Sequence, residues 1–297
     1  MDLINTQELT KRFGNLQAVD HLNWSVPEGS LCALLGPNGA GKTTTLKMLL
    51  DMTHPTSGSA NVLGFDSQTQ AQEIRRSVAF VSEDKALYDS MTVATFIRYY
   101  SSFFLDWSDS AMNELLKAWE LPVDQKIREL SKGTRTKFYL ALSLARKPRV
   151  LVLDEPTEGL DPVNQEEVLK LLTHWLTHGQ RSAVIASHRL EEVERIADRV
   201  TIINQGKLRL NQDLDEVRSN WKTIELIGEF ATTSSVVQVT KSGMVSRIVT
   251  SNFPEFQQEL QKQHITPLHV YDMNLREIYL SALRKGGWNY DSLENVV

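Results

Sequence analysis

A single cysteine, Cys32, excludes any disulfide within the 297 residues. It sits in an apolar strand and reads as a small buried hydrophobe, and a reducing compartment fits that usage. No apolar run approaches the roughly 20 residues that a membrane-spanning helix needs, so any membrane role must come through a partner. The opening stretch, Met1 to Glu8, lacks a basic segment followed by an apolar one, and no secretory signal is expected. Basic excess is missing too. A formal net charge of -5 gives no reason to expect nucleic acid as a partner, although a local basic patch is compatible with it. The length allows one main domain plus a smaller one.

What is present is sharper. Gly36-Pro37-Asn38-Gly39-Ala40-Gly41-Lys42-Thr43, followed by Thr44, fits G-x-x-x-x-G-K-[ST]. The context is right, because Leu31–Leu35 reads as a buried strand and Thr44–Leu50 as a helix. Such a glycine-rich turn points successive N–H groups inward at a helix N-terminus and makes a nest for phosphate. Lys42 can reach the terminal phosphates, and the Thr43 hydroxyl is placed to join a Mg²⁺ shell.

Residues 3–35 alternate as an antiparallel sheet would. Phe13 is followed by a Gly14-Asn15 turn and reads either as a stacking ring for a purine or as core. Residues 91–119 read as helical and strongly aromatic. Phe96, Tyr99, Tyr100, Phe103, Phe104 and Trp107 recur there at steps of three and four. That stripe is either core packing or a groove for a partner helix. Leu130-Ser131-Lys132-Gly133-Thr134 opens a further helix, with Ser131 a credible N-cap. Val150–Leu153 reads as a central parallel strand ending in Asp154-Glu155, and Ser182–Ala186 as another ending in Ser187-His188. Beyond about residue 211 the texture changes, and strand-like and helix-like segments describe a small α+β appendage over 216–290. Packing or dimerisation is its simplest reading.

Asp154 follows Lys42 by 112 residues and is a natural Mg²⁺ partner to Thr43. Glu155 is placed to polarise a water aimed at a phosphate, because the chain is leaving the sheet there and both acids can converge. His188, at the end of the next strand, either orients that water or is simply solvated. Glu83 follows another strand at the same sheet edge, where open α/β proteins put ligand-binding residues.

Taken together, these motifs in this order resemble the nucleotide-binding subunit of ABC transporters. The nearest resemblance is to the stand-alone ATPase subunits of bacterial exporter-type systems, and it covers roughly residues 1–215. It implies an α/β P-loop ABC ATPase core with an antiparallel β subdomain and a helical subdomain over about 88–148, followed by a small C-terminal α+β domain at 216–297. The implied cofactors are ATP and Mg²⁺, at the cytoplasmic face of the cell membrane. The implied partners are a second copy or a paralogous ATPase, and a transmembrane permease received by the aromatic helices. Phe13 matches the adenine-stacking aromatic, Asp154 the Mg²⁺-associated acid, Glu155 the catalytic base and His188 the switch histidine. Ser131 and Gly133 match the signature residues that touch the partner's γ-phosphate, and Asp161 the loop aspartate that communicates across the dimer. Glu83 stands where the family has a glutamine near the metal, which implies altered coupling. Lys132 and Thr134 replace the common glycine and glutamine of the signature, and Lys132 is expected to add a cation near the nucleotide. Two other readings remain: a soluble ATPase of the same type acting on ribosomes or DNA, and a non-catalytic nucleotide-dependent regulator.

Overall fold

The computed structural model describes residues 2–82, 87–177, 180–228, 230 and 234–285. Glu83 and the chain beyond residue 285 lie outside them. The alternating N-terminal segment forms β1 (Asp2–Phe13), β2 (Leu16–Leu22) and β3 (Ser25–Pro27), all antiparallel. β4 (Leu31–Leu35) leaves for a second sheet and leads into α1 (Lys42–Leu49). The chain then returns to the first sheet as β5 (Ser57–Val62) and β6 (Phe65–Asp66). Trp24 is buried between the two sheets, and its indole N–H donates to Thr201 Oγ1 at 2.9 Å. A polar anchor inside an apolar cluster is satisfied there rather than orphaned.

The second sheet takes β7 (Val78–Val81), reached through α2 (Ala71–Ser77), then β8 (Val150–Asp154), β9 (Ser182–Ser187), β10 (Arg199–Asn204) and β11 (Lys207–Asp213). Its order is β11-β10-β4-β9-β8-β7, parallel throughout except for β11. Every residue of β4, β8 and β9 is buried. Strands covered on both faces need near-continuous apolar runs, which is what Leu31–Leu35 and Val150–Leu153 supply. Because β4, β9 and β8 are parallel neighbours, the glycine-rich loop, Ser187-His188 and Asp154-Glu155 all emerge at one edge. Cys32 is fully buried in β4, and burial pushes its thiol up to about 12.

Three helices cover one end of this sheet: α3 (Val93–Ser101), α4 (Asp109–Ala118) and α5 (Lys132–Ala145). The aromatic segment is therefore two helices rather than one continuous stretch. α3 ends at Ser101, and Ser108 starts α4 as its N-cap, its Oγ accepting from the Ala111 N–H at 3.3 Å. Trp107 adds an indole N–H bond to Asp109 at 2.9 Å. The aromatic row splits by face. Phe96 is buried edge-on against Phe138 of α5 at 5.9 Å, whereas Tyr99 and Phe103 are exposed. The core reading holds for Phe96, and Tyr99 and Phe103 are left on the surface.

After α6 (Pro162–Leu176) and α7 (Leu190–Ile196), α8 (Leu214–Asn220) leads into an antiparallel sheet. Its strands are β12 (Lys222–Ile227), β13 (Val236–Ser242), β14 (Val245–Thr250) and β15 (His269–Asp272), in the order β13-β14-β12-β15. α9 (Phe253–Lys262) packs Phe256 and Leu260 on Ile224, Leu226 and Ile248. α10 (Leu275–Lys285) behaves differently. Leu275, Ile278 and Ala282, at steps of three and four, join Val193 of α7 and Val200 and Ile202 of β10 in one buried cluster. The last helix thus belongs to the core of the central sheet as much as to the C-terminal sheet.

Candidate functional site

The loop after β4 is shaped by its glycines, two of which have no room for a side chain. Gly41 precedes α1 at φ +105, and a Cβ there would run into the Ala18 carbonyl; Gly39 has φ +77. Gly36 is excluded from carrying a side chain by the Ile203 carbonyl. This leaves backbone N–H groups lining a cavity of about 460 Å³ at the N-terminus of α1. Lys42 is only 7% exposed, and its ammonium donates to the carbonyls of Gly36 at 2.8 Å and Pro37 at 3.4 Å. A buried cation is costly unless paired, and Glu155 Oε1 lies 3.7 Å away.

Asp154 ends β8 with its carboxyl buried, and Glu155 follows at φ +49, a left-handed conformation that costs a non-glycine residue roughly 1 kcal/mol or more. That turn puts two successive acids at the sheet edge. The Glu155 N–H is pinned to the Ala186 carbonyl of β9 at 2.9 Å. Its second carboxylate oxygen pairs with His188 Nδ1 at 3.0 Å. Glu155 therefore stands between a lysine and a histidine at the mouth of the phosphate-type loop.

One residue of this network escapes sequence inspection. Glu158 Oε2 lies 3.6 Å from His188 Nε2 and 3.7 Å from Arg189 Nε, and Arg189 also binds Glu192 at 3.0 Å. Thr157 donates to the same Glu192 at 2.5 Å. A single glutamate in a loop carries no signal. Only its place three residues after Glu155 hints at a shared side.

Phe13 is half exposed on the rim of the same cavity, with the Lys11 ammonium 4.9 Å above its ring, so it is not a core residue. Asn38, Gly39, Ala40, Gly41, Lys42, Thr43, Thr44, Glu155 and His188 line that cavity with it. Gly36 and Pro37 contribute from behind, through the carbonyls that hold Lys42. Thr43 and Asp154 offer only oxygen donors, the set a hard cation such as Mg²⁺ prefers, and so fit it. Glu155, Glu158 and His188 have donor atoms within 4.8 Å of one another, but that set includes a nitrogen and suits transition metals better. Glu83 lies outside the described residues.

Ser131, Gly133 and Asp161 do not line this cavity. They form a second cluster at the N-termini of α5 and α6. Ser131 Oγ caps α5 by accepting from the Thr134 N–H at 3.1 Å. Asp161 caps α6, accepting from the Val163 and Asn164 N–H groups at 3.0 Å each. Hydrogen bonds from Asn164 and then Val163 hold the Asp161 carboxyl below its usual range. A Cβ on Gly133 would press on the Asn164 amide at 2.8 Å, so the two helix starts pack closely. Lys132 is exposed at the start of α5. Its ammonium lies directly over Gly159, whose φ of +67 makes room for it.

Comparison with known proteins agrees with this geometry. A family model described as ABC transporter matches residues 19–158. The bacitracin transport ATP-binding protein BcrA of Bacillus licheniformis is 34% identical over 226 residues, covering 75% of this chain and 74% of that one. The Nod factor export ATP-binding protein I of Burkholderia lata is 38% identical over 210 residues, covering 69% and 68%. A solved structure described as the ATP binding subunit of an ABC transporter superposes with a TM-score of 0.66 at 24% identity, covering 73% of this chain and 92% of that chain. A dimeric ATP-binding cassette bound to ADP and phosphate gives a TM-score of 0.64 at 22% identity, covering 71% and 98%. This chain belongs to the ATP-binding subunits of ABC transporters, ATP-hydrolysing proteins coupled to a transmembrane permease.

Proposed function

We propose that two copies of the chain close head to tail over two ATP molecules and transmit the closure to a separate permease. One observation carries this reading. Glu155 sits between Lys42 and His188 in a cavity built by one half of a site, while Ser131 and Gly133 face elsewhere. A second copy supplies the missing half.

In this reading Lys42 exchanges the carbonyls of Gly36 and Pro37 for the terminal phosphates of ATP. The loop N–H groups hold the remaining phosphate oxygens, and Phe13 stacks on the adenine. Thr43 and Asp154 hold Mg²⁺, which supplies charge neutralisation of the phosphates. Glu155 takes a proton from the attacking water and His188 fixes the carboxylate by its 3.0 Å bond. The N-terminus of α5, with Ser131 and Gly133, meets the partner's γ-phosphate, and Asp161 lies along the closing surface. The permease docks on the exposed aromatics of the helical layer. Phe103 and Leu105 border a cavity of about 290 Å³ there, beside Arg75, Arg76 and Arg146. Among the described residues no helix is long and apolar enough to cross a membrane, so the permease holds the chain at the cytoplasmic face. The transport and export roles in the relatives' names support this assignment.

ATP hydrolysis measured against protein concentration tests the pairing. Turnover per chain is expected to rise with concentration and reach a plateau, since a lone chain lacks the signature half of its site. Turnover per chain that stays constant down to nanomolar protein overturns it. Replacing Phe13 with alanine is expected to raise KM for ATP about tenfold, as loss of a base–aromatic stack of about 1–3 kcal/mol dictates. An unchanged KM removes Phe13 from the site.

A further inference from the structure

Lys11 lies two residues before Phe13 on β1, the spacing that puts both side chains on one face of a strand. Its ammonium stands 4.9 Å from the centre of the Phe13 ring and donates to the His54 carbonyl at 2.6 Å. The segment that carries His54 is itself stitched to β1. The Arg12 N–H donates to Thr56 Oγ1 at 3.0 Å, and the Thr56 N–H donates to the Thr10 carbonyl at 2.7 Å. A lysine head free in solvent samples many rotamers; this one is tethered to a carbonyl that the strand holds in place.

Phe13 gains from such a tether. It is 50% exposed, and Leu16, its cross-strand partner in the hairpin with β2, is 66% exposed. Core packing therefore cannot hold the ring at one angle. Phe13, Leu16 and Ala18 line the cavity at the N-terminus of α1, whereas Lys11 does not. The ammonium thus covers the ring face turned away from the cavity and leaves the other face bare.

We propose that Lys11 is a positioning residue for the nucleobase. It clamps the Phe13 ring by a cation–π contact on its outer face, so that the inner face meets the base as a fixed platform. The base then stacks without the ring having first to be ordered, which is how preorganisation adds affinity. This rests on the assignment of Phe13 as the ring that stacks on adenine. Lys11 is outside the phosphate nest, so it acts on binding and leaves the chemical step alone.

The test is a double-mutant cycle on the full-length chain, read by calorimetric titration with Mg²⁺-ATP and with Mg²⁺-tripolyphosphate, a probe without a base. Lys11→Met keeps the apolar stem and removes the charge. It is expected to weaken ATP binding about two- to fivefold, as an exposed cation–π contact dictates, and to leave tripolyphosphate affinity and kcat unchanged. Lys11→Arg is expected to keep ATP affinity, because a guanidinium also binds a ring face. In the Phe13→Ala background, Lys11→Met is expected to cost nothing further. Undiminished ATP affinity in Lys11→Met overturns the proposal, as does an equal loss for tripolyphosphate. So does ATP binding as weak in Lys11→Arg as in Lys11→Met, or a loss that persists in full once the Phe13 ring is gone. If Phe13→Ala alone leaves ATP affinity unchanged, the stacking assignment falls and the clamp with it. A loss in Phe13→Ala with none in Lys11→Met removes the clamp alone.

Discussion

Glu155→Gln is expected to lower ATP turnover by about two to four orders of magnitude while ATP still binds and the pair still closes. The geometry separates the two effects. Lys42 and the loop N–H groups, which hold phosphate, remain in place when one carboxylate oxygen becomes an amide nitrogen. What disappears is the group able to accept a proton from water. The amide keeps a nearly identical shape beside His188, so the 3.0 Å contact can persist in one amide orientation. The measurement is single-turnover hydrolysis beside size analysis in ATP. Loss of turnover with an ATP-stabilised dimer supports Glu155 as the base. Near-normal turnover sinks that role, and the attacking water must then be activated elsewhere.

Lys42→Ala is expected to weaken ATP binding by roughly 30- to several-thousand-fold, the range that follows from truncating one partner of a buried, hydrogen-bonded charge pair. The loss has two parts. The phosphates lose a cation aimed at them from a side chain only 7% exposed. Glu155 meanwhile loses the positive neighbour at 3.7 Å that offsets its burial. Its carboxylate then repels the incoming phosphates with less to screen it. Equilibrium binding of a fluorescent ATP analogue reads the effect directly. Unchanged affinity removes Lys42 from phosphate recognition and leaves the loop N–H groups as the whole of the nest.

The sequence was most legible where one local rule dictated the structure. A fully apolar strand such as Val150–Leu153 has no alternative to a buried parallel position, and the glycines at 36, 39 and 41 have no alternative to a tight turn. The C-terminal strands were legible for the same reason, each being a short run bounded by turn residues. Residues 91–119 were harder. Their aromatic period continues across residues 102–108, although the chain leaves one helix after Ser101 and enters the next only at the Ser108 cap. In the site, Glu155 and His188 announced themselves at strand ends, whereas Glu158 became visible only once β8 and β9 lay side by side. Lys132 was expected to project a cation toward nucleotide. Within one chain its ammonium lies over Gly159, near the start of α6, a contact between two segments that only the fold brings together. The side chains that sequence misses are those whose direction is set by a distant segment.

The two faces of α10 also bear on how such a chain can change over time. Leu275, Ile278 and Ala282 answer to the central sheet, so any drift there is tested against the catalytic core. Glu277, Ser281 and Arg284 lie on the other side of the helix, facing the small sheet rather than the central one. A single helix thus lets the C-terminal unit change while its attachment stays fixed. Diversity among related chains should accumulate on one side of that helix and be scarce on the other.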